Sequence, residues 1–354
     1  LDPFVYQSLP VRVVFGVGTS ARLAEEADAL GVRRSLVLTT PGHEQLGREM
    51  AERLGGGFAG LFAGAVMHTP VNVTDEAVKR AADLRADGVV AVGGGSTIGL
   101  GKAISLRTRL PQIAIPTTYA GSEMTPILGQ TRDGVKTTQS DPRIMPNTVI
   151  YDVDLTLSLP VRISAVSGIN AMAHSVESLY ARDRNPIISL MASEAIGALA
   201  GALPDIVHAP GDPNARSRAL YGAWLSGVCL GSVGMALHHK LCHVLGGAFN
   251  LPHAETHAIL LPHAMAYNSV AVPDVDRSIA QILGASQAAA GLYDFARRLG
   301  IPLALREIGM PESGIDRGAD LAMANPYWNP RPLEHDSVRA LIARAWAGDE
   351  PVTR

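Results

Sequence analysis

Over residues 11–118, short β-branched apolar runs alternate with stretches whose apolar positions recur every three or four residues. The short runs are VRVVF (11–15), SLVLTT (35–40), GLFAGAV (60–66), GVVAVG (88–93) and PQIAIPTT (111–118), and they predict strands. Several are apolar throughout, as strands buried on both faces of a parallel sheet must be. The periodic stretches at 19–30, 43–54 and 74–86 predict helices. Thr19 or Ser20 is the expected N-cap of the first and Thr74 of the third, because a hydroxyl there accepts an otherwise unpaired backbone N–H. This alternation predicts a doubly wound parallel sheet with helices on both faces. After TVIYDVDLTLSLP (148–160) the β-branched runs disappear, and helical periodicity covers 163–182, 187–208, 214–248, 275–299 and 333–346. The expectation is an α/β domain over 1–158 and an all-helical domain over 159–354, packed directly with a cleft between them.

Composition narrows the class. With 47% hydrophobic and 18% charged residues, the chain is not a disordered one. A net charge of −3 supplies no general attraction to nucleic acid or to a membrane surface. No unbroken apolar run is long enough to predict a membrane span, and no basic segment followed by an apolar one opens the chain. Two cysteines, Cys229 and Cys242, cannot form a disulfide scaffold, so reduced thiols and a cytoplasmic location are expected.

Two glycine-rich turns compete as dinucleotide sites. Gly16-Val17-Gly18-Thr19-Ser20-Ala21 has the G-x-G-x-x-A spacing. It lacks the acid about 20 residues on that would hold a ribose, since that region reads Leu36-Val37-Leu38-Thr39-Thr40. A tight turn is the better reading. The second turn, Gly93-Gly94-Gly95-Ser96-Thr97, follows a buried strand and opens a helix carrying Lys102. Three glycines let the backbone approach a pyrophosphate, and the helix N-terminus offers unpaired N–H groups and partial positive charge. Thr117, Thr118 and Ser122 follow the next strand and are candidates for the ribose or nicotinamide.

Six of the 11 histidines fall within 26 residues: His238, His239, His243, His253, His257 and His263. His239 and His243 share a helix face, as do Asn170 and His174. Two such pairs, with His253 after the Asn250-Leu251-Pro252 turn, suit a metal or a proton-transfer site. His238, His257 and His263 read as ordinary core or surface histidines, with His257 a possible supporting partner.

At this point several motifs in order, GGGST with Lys102, PTTYAGSE, GINAMAH and HHKLCH…NLPHAETHAILLPH, resemble the iron-containing (group III) alcohol dehydrogenase family. The resemblance runs from Phe15 to Pro326. It implies an N-terminal dinucleotide-binding domain whose phosphate loop is the GGGS segment, an all-helical second domain, and a homodimer. The family's four metal ligands fall on positions 170, 174, 239 and 253. Three positions depart from the family's pattern: Asn170 stands where metal-dependent members carry Asp, Gly99 where Asp is common, and Thr39-Thr40 where many NAD-preferring members have an acid. The first departure removes the only anionic ligand, so no metal is expected to be required. The third leaves nothing to repel a 2′-phosphate, so NADH or NADPH is the expected cofactor.

Together these departures resemble the maleylacetate reductase branch of the family. That branch reduces the carbon–carbon double bond of a small dicarboxylate in aromatic-compound catabolism. On this reading His243 is the general acid and His253 an oxyanion donor, or the two exchange roles, while Asn170, His174 and His239 position the substrate's polar groups. Lys136 joins Thr117 and Thr118 on the cofactor side. Lys240 and Arg143 are candidates for the substrate carboxylates. The alternative is a metal-dependent alcohol or aldehyde dehydrogenase of the same family.

Overall fold

The structure, a computed structural model, describes residues 3–132 and 135–353. The chain divides into two compact units, Ser8–Leu159 and Pro160–Arg354, and the stretch before Ser8 groups with the second rather than the first.

In chain order the first unit contains β1 (Arg12–Gly16), α1 (Leu23–Ala29), β2 (Ser35–Leu38), α2 (Glu44–Leu54), β3 (Phe58–Phe62), α3 (Val71–Asp83), β4 (Gly88–Gly93), α4 (Gly95–Thr108), β5 (Gln112–Pro116), β6 (Ile127–Arg132), β7 (Val135–Ser140) and β8 (Thr148–Asp152). Six strands form one all-parallel sheet in the order β1-β8-β5-β4-β2-β3, and β6 and β7 form a separate antiparallel pair. Successive residues of a strand point to opposite faces. Val37, Val90, Val92, Ile113 and Ile115 therefore pack on one side against Leu23, Ala27 and Met50 of α1 and α2. Leu36, Leu38, Val89 and Ala91 pack on the other against Ala77, Ala81, Leu100 and Ile104 of α3 and α4. Both faces are covered, which accounts for the unbroken apolar runs. The winding direction reverses between β2 and β4, and ligands of such sheets sit at the strand carboxyl ends beside that reversal.

The second unit is helical: α5 (Val161–Ser178), α6 (Pro186–His208), α7 (Pro213–Ser232), α8 (Leu237–Phe249), α9 (His253–Ser269), α10 (Pro273–Leu283), α11 (Ala288–Arg298), α12 (Gly314–Ala324) and α13 (His335–Ala347). α5 is buried on all sides from Ser164 to Ser178 and packs against α6, α7 and α9. α6 is long and apolar enough to cross a membrane by length and composition, although Ser189, Ser193 and Glu194 interrupt its apolar run. In the fold its Ile188, Ile196, Leu199 and Leu203 are buried, and it packs on α5 and α7.

Several expectations need correction. The helix expected over 214–248 is two, α7 and α8, bent by 94° at a break around Gly234, whose N–H is bonded by Asp183 at 2.9 Å. The helix expected over 275–299 is broken at Gly284, which adopts a left-handed backbone with φ of 65°. α9 and α12 were not anticipated. α9 carries Pro262 and is buried nearly all round, so it shows no amphipathic period. Thr74 caps nothing: α3 starts at Val71, and the buried Thr74 hydroxyl donates back to the Pro70 carbonyl at 3.1 Å. Neither Thr19 nor Ser20 caps α1, which follows a 3-10 turn over Thr19–Arg22.

Candidate active site

The Gly16–Ala21 turn is already satisfied from within. The Asp152 carboxylate, at the end of the neighbouring strand, accepts the N–H groups of Gly18 and Ser20, each at 2.9 Å, and the Ser20 hydroxyl. A carboxylate thus occupies the place an anionic ligand would take.

The second glycine turn is open. Gly93 ends β4 with φ of +150°, and a Cβ there would stand 2.5 Å from the Thr97 Oγ1. Gly94 faces Thr118, whose Cγ2 would be 3.2 Å from an added Cβ, and its carbonyl accepts the N–H groups of Thr97 and Ile98. Gly95 and Ser96 then start α4 with no carbonyl upstream to bond, and nothing lies within 4 Å of a Cβ at Gly95. Thr117 is tied to this turn by its N–H, 3.1 Å from the Gly93 carbonyl. The carboxyl ends of β2, β4 and β5 therefore carry Thr39-Thr40, Gly93–Gly95 and Thr117-Thr118 respectively.

Not every candidate hydroxyl faces outward. Thr39 and Thr97 are fully buried, and neither Oγ1 has a partner among the described residues. Thr40 is half-buried and shares a 2.7 Å hydrogen bond with His43 Nδ1. Lys102 is buried and donates to the Ser122 carbonyl, to Thr125 Oγ1 at 2.9 Å and to the Ile127 carbonyl at 3.0 Å, with Ser122 Oγ 3.3 Å away. It anchors the loop after β5, and burial lowers its pKa to about 7. Gly99 is explained by its neighbour: a Cβ there would stand 2.6 Å from Oγ1 of Thr69, a buried residue at φ 44°. Lys136 lies in β7, and its side chain is outside the described residues. Arg143 is ion-paired with Asp141, so its charge is already matched.

In the helical unit, Asn170, His174 and Glu177 recur on one face of α5. Glu177 was not anticipated, although its spacing from His174 and Asn170 carried the signal. Its buried carboxylate accepts the N–H groups of Ala236 at 3.0 Å and His238 at 2.8 Å, at the amino end of α8, and His239 Nδ1 lies 2.6 Å away. An anion at a helix N-terminus is favoured by the unpaired amides there. Burial pushes the Glu177 carboxyl up, while these backbone N–H groups pull it down. Surrounded by donors, it acts as a carboxylate and holds the His239 proton on Nδ1.

His238, His239 and His257 offer nitrogens within 4.8 Å of one another, so His238 and His257 are members of the cluster rather than bystanders. His174 and His239 ring centroids are 5.1 Å apart, and those of His253 and His257 are 4.3 Å apart. Burial lowers the pKa of His174, His239 and His257 well below the ordinary histidine value and that of His238 to about 4. These four are neutral at pH 7. Asn170 Oδ1, His174 Nδ1 and His239 Nε2 are buried without a partner among the described residues. Two histidines differ: His243 and His253 are solvent-exposed. The ring of His243 meets Tyr327, a residue to which no sequence motif pointed, with Nδ1 3.0 Å from the phenol oxygen. His263 is buried in α9 outside this cluster.

A glycine turn at a parallel-sheet switch point, and a second, helical unit with its histidines, match known proteins across nearly the whole chain. Residues 10–153 match the family of iron-containing alcohol dehydrogenases, and residues 164–346 match that family's C-terminal region. The chain belongs to the iron-containing alcohol dehydrogenase family, and is an enzyme of the oxidoreductase class whose family uses a nicotinamide cofactor. Within that family it is similar to the maleylacetate reductase of Rhizobium sp. (strain MTP-10005), 57% identical over 351 residues covering 99% of this chain and 100% of that one. The maleylacetate reductase of Burkholderia cepacia is 53% identical over 99% of this chain and 100% of its own. The crystal structure of maleylacetate reductase from Agrobacterium tumefaciens superposes with a TM-score of 0.97 at 56% identity, covering 99% of this chain and 100% of that one.

The donor set lacks the anionic oxygen that the iron of the family name prefers. Asn170, His174, His239 and His253, the positions on which the family resemblance puts the ligands, offer an amide oxygen and imidazole nitrogens and no carboxylate oxygen. Glu177, the nearby anion, is engaged by backbone N–H groups and His239. A hard cation such as Fe²⁺ prefers anionic oxygen, which these positions do not supply.

Proposed function

We propose that this enzyme reduces the carbon–carbon double bond of maleylacetate with NADH or NADPH and one proton, giving 3-oxoadipate and oxidised cofactor. The substrate rests on full-length similarity to maleylacetate reductases. The observation that carries the chemistry is an exposed histidine, His243, hydrogen-bonded to Tyr327 and next to buried neutral imidazoles. Hydride from nicotinamide C4 adds to the alkene carbon β to the ketone. Its electron pair moves through the former double bond onto the ketone oxygen, giving an enolate. The carbon α to the ketone then takes a proton.

His243 suits the proton donor. With the Tyr327 hydroxyl donating to Nδ1, the ring proton sits on Nε2, and an exposed ring is recharged from solvent. His239 does not suit it, because its proton is committed to Glu177 and its Nε2 presents a lone pair. His253 is assigned as hydrogen-bond donor to the enolate oxygen. Asn170 and His174 orient the substrate's oxygens. Gly93, Gly94, Gly95, Ser96 and Thr97 form the proposed pyrophosphate turn, and Thr117, Thr118, Ser122 and Lys136 the nicotinamide side. Thr39-Thr40 replaces an acid, so a 2′-phosphate meets no negative charge. The buried thiols of Cys229 and Cys242 accord with the reducing cytoplasm.

The test is loss of NADH absorbance on adding maleylacetate to chelator-treated enzyme whose metal content has been assayed. Turnover at undiminished rate is expected. Absence of turnover until Fe²⁺ or Zn²⁺ is restored would overturn the metal-free mechanism and favour the alcohol dehydrogenase alternative.

A further inference from the structure

Lys240 has a charge that nothing in its surroundings matches. It is only 8% exposed, yet among the described residues no carboxylate lies within ion-pair distance of its Nζ. Two arginines of the same unit are matched: Arg162 meets Glu255 at 3.6 Å, and Arg218 pairs with Asp205. The stem of Lys240 is buried, while Nζ keeps the residue's remaining access to solvent with no anion beside it. What partly compensates its charge is the face of Tyr327, whose ring centroid is 5.6 Å from Nζ.

Tyr327 also fixes where that charge sits. Its hydroxyl is 3.0 Å from His243 Nδ1, so one ring touches both the lysine and the proposed proton donor. Lys240 and His243 are three residues apart on α8, adjacent on the helix surface.

We propose that Lys240 is a specificity-determining residue that holds one carboxylate of the substrate beside His243. This rests on the dicarboxylate reading above and deepens it. The group recognised is a single carboxylate, since a lysine ammonium is a compact point charge rather than the bidentate fork of arginine.

The experiment is steady-state kinetics of Lys240→Met and Lys240→Arg with the diacid and with each of its two monomethyl esters. Each ester neutralises one end of the substrate. Wild-type turnover of maleylacetate comes first: without it, the functional reading itself fails and the lysine is not at issue. Given turnover, Lys240→Met is expected to raise KM for the diacid about 10–100-fold, the loss typical of a charged hydrogen bond, with a smaller effect on kcat. Lys240→Arg should recover part of that loss. The penalty should collapse for one of the two esters, the one lacking the carboxylate that Lys240 holds. An equal penalty on the diacid and both esters, or a fall in kcat alone, would mean that Lys240 only props Tyr327, and would overturn the proposal. An unchanged thermal melt for Lys240→Met separates both outcomes from misfolding.

Discussion

His239 enters the site with a single available nitrogen because Glu177, two turns of helix beyond Asn170, holds the other. The same carboxylate accepts the first amides of α8, so the ring and the helix bearing it are positioned by one group. Glu177→Gln keeps the shape but replaces one oxygen with an amide donor facing N–H groups. It should lower kcat about 10–100-fold, the usual effect of removing a histidine's orienting carboxylate, and should lower the melting temperature. Unaltered kinetics would show that the His239 tautomer is immaterial. His243→Ala removes the proposed proton donor, and kcat should fall about 10²–10⁴-fold. Tyr327→Phe leaves that ring in place but frees its Nδ1. It should lower kcat by a smaller factor than His243→Ala, with KM little changed. Pre-steady-state kinetics would place the loss in the chemical step.

At the scale of elements, the strand-to-helix turn from β4 into α4 separates a folding role from a binding role within three glycines. Gly93→Ala forces a side chain at φ +150° and 2.5 Å from Thr97 Oγ1, so it should cost stability as well as cofactor affinity. Gly95→Ala meets nothing within 4 Å and lies in a helix, where alanine is favoured. Its melting temperature should hold or rise. If a pyrophosphate rests on this turn, NADH should nevertheless bind about tenfold or more weakly in a fluorescence titration. Unchanged NADH affinity in Gly95→Ala would remove this turn from the binding site. The sequence exposed this element well: β4 runs over Gly88–Gly93 as its apolar run predicts, because a strand buried on both faces has no polar position to blur its ends. It exposed α9 poorly for the matching reason. A helix buried nearly all round has no polar face, and Pro262 suggests a break that the backbone does not make. The 94° bend between α7 and α8 is equally silent, because apolar periodicity runs through it, and Gly234 bonded to Asp183 comes from a distant part of the chain. Within the candidate site, the pairs Asn170/His174 and His239/His243 stood out by spacing and His253 by its turn. His238 and His257 were not, since an isolated histidine in an apolar helix looks the same whether it packs alone or in a cluster. Tyr327 sits outside any regular element, so no period could point to it.

For the whole molecule, the two units bury different titratable groups and should respond differently to acid. The helical unit buries His174, His238, His239, His257 and His263, each held below the ordinary histidine pKa chiefly by desolvation, His238 and His263 to about 4. Above pH ~6.5 these rings are neutral in both folded and unfolded chains, and the stability is fully present. As pH falls below that value the unfolded chain takes up protons that the folded one resists, so stability is lost progressively toward pH 4. Each histidine contributes at most about 1.4 kcal/mol per pH unit. Glu177, whose carboxyl burial pushes up, works with the opposite sign, but it is one group against five. The α/β unit has His43 exposed and His68 half-buried, and its buried ionisable groups include Lys102 and Glu123. Burial raises Glu123, so its protonation in acid does not weaken that unit. The three tryptophans, Trp224, Trp328 and Trp346, all lie in the helical unit, so their fluorescence reports on it alone. Urea unfolding followed by tryptophan emission should therefore show a midpoint that drops steeply from pH 7 to pH 5. Far-UV circular dichroism, which also sees the α/β unit, should retain a component unfolding at higher urea. A tryptophan midpoint constant over that range would mean that the cluster takes up protons without penalty, and the neutral-imidazole description of the site would have to be abandoned.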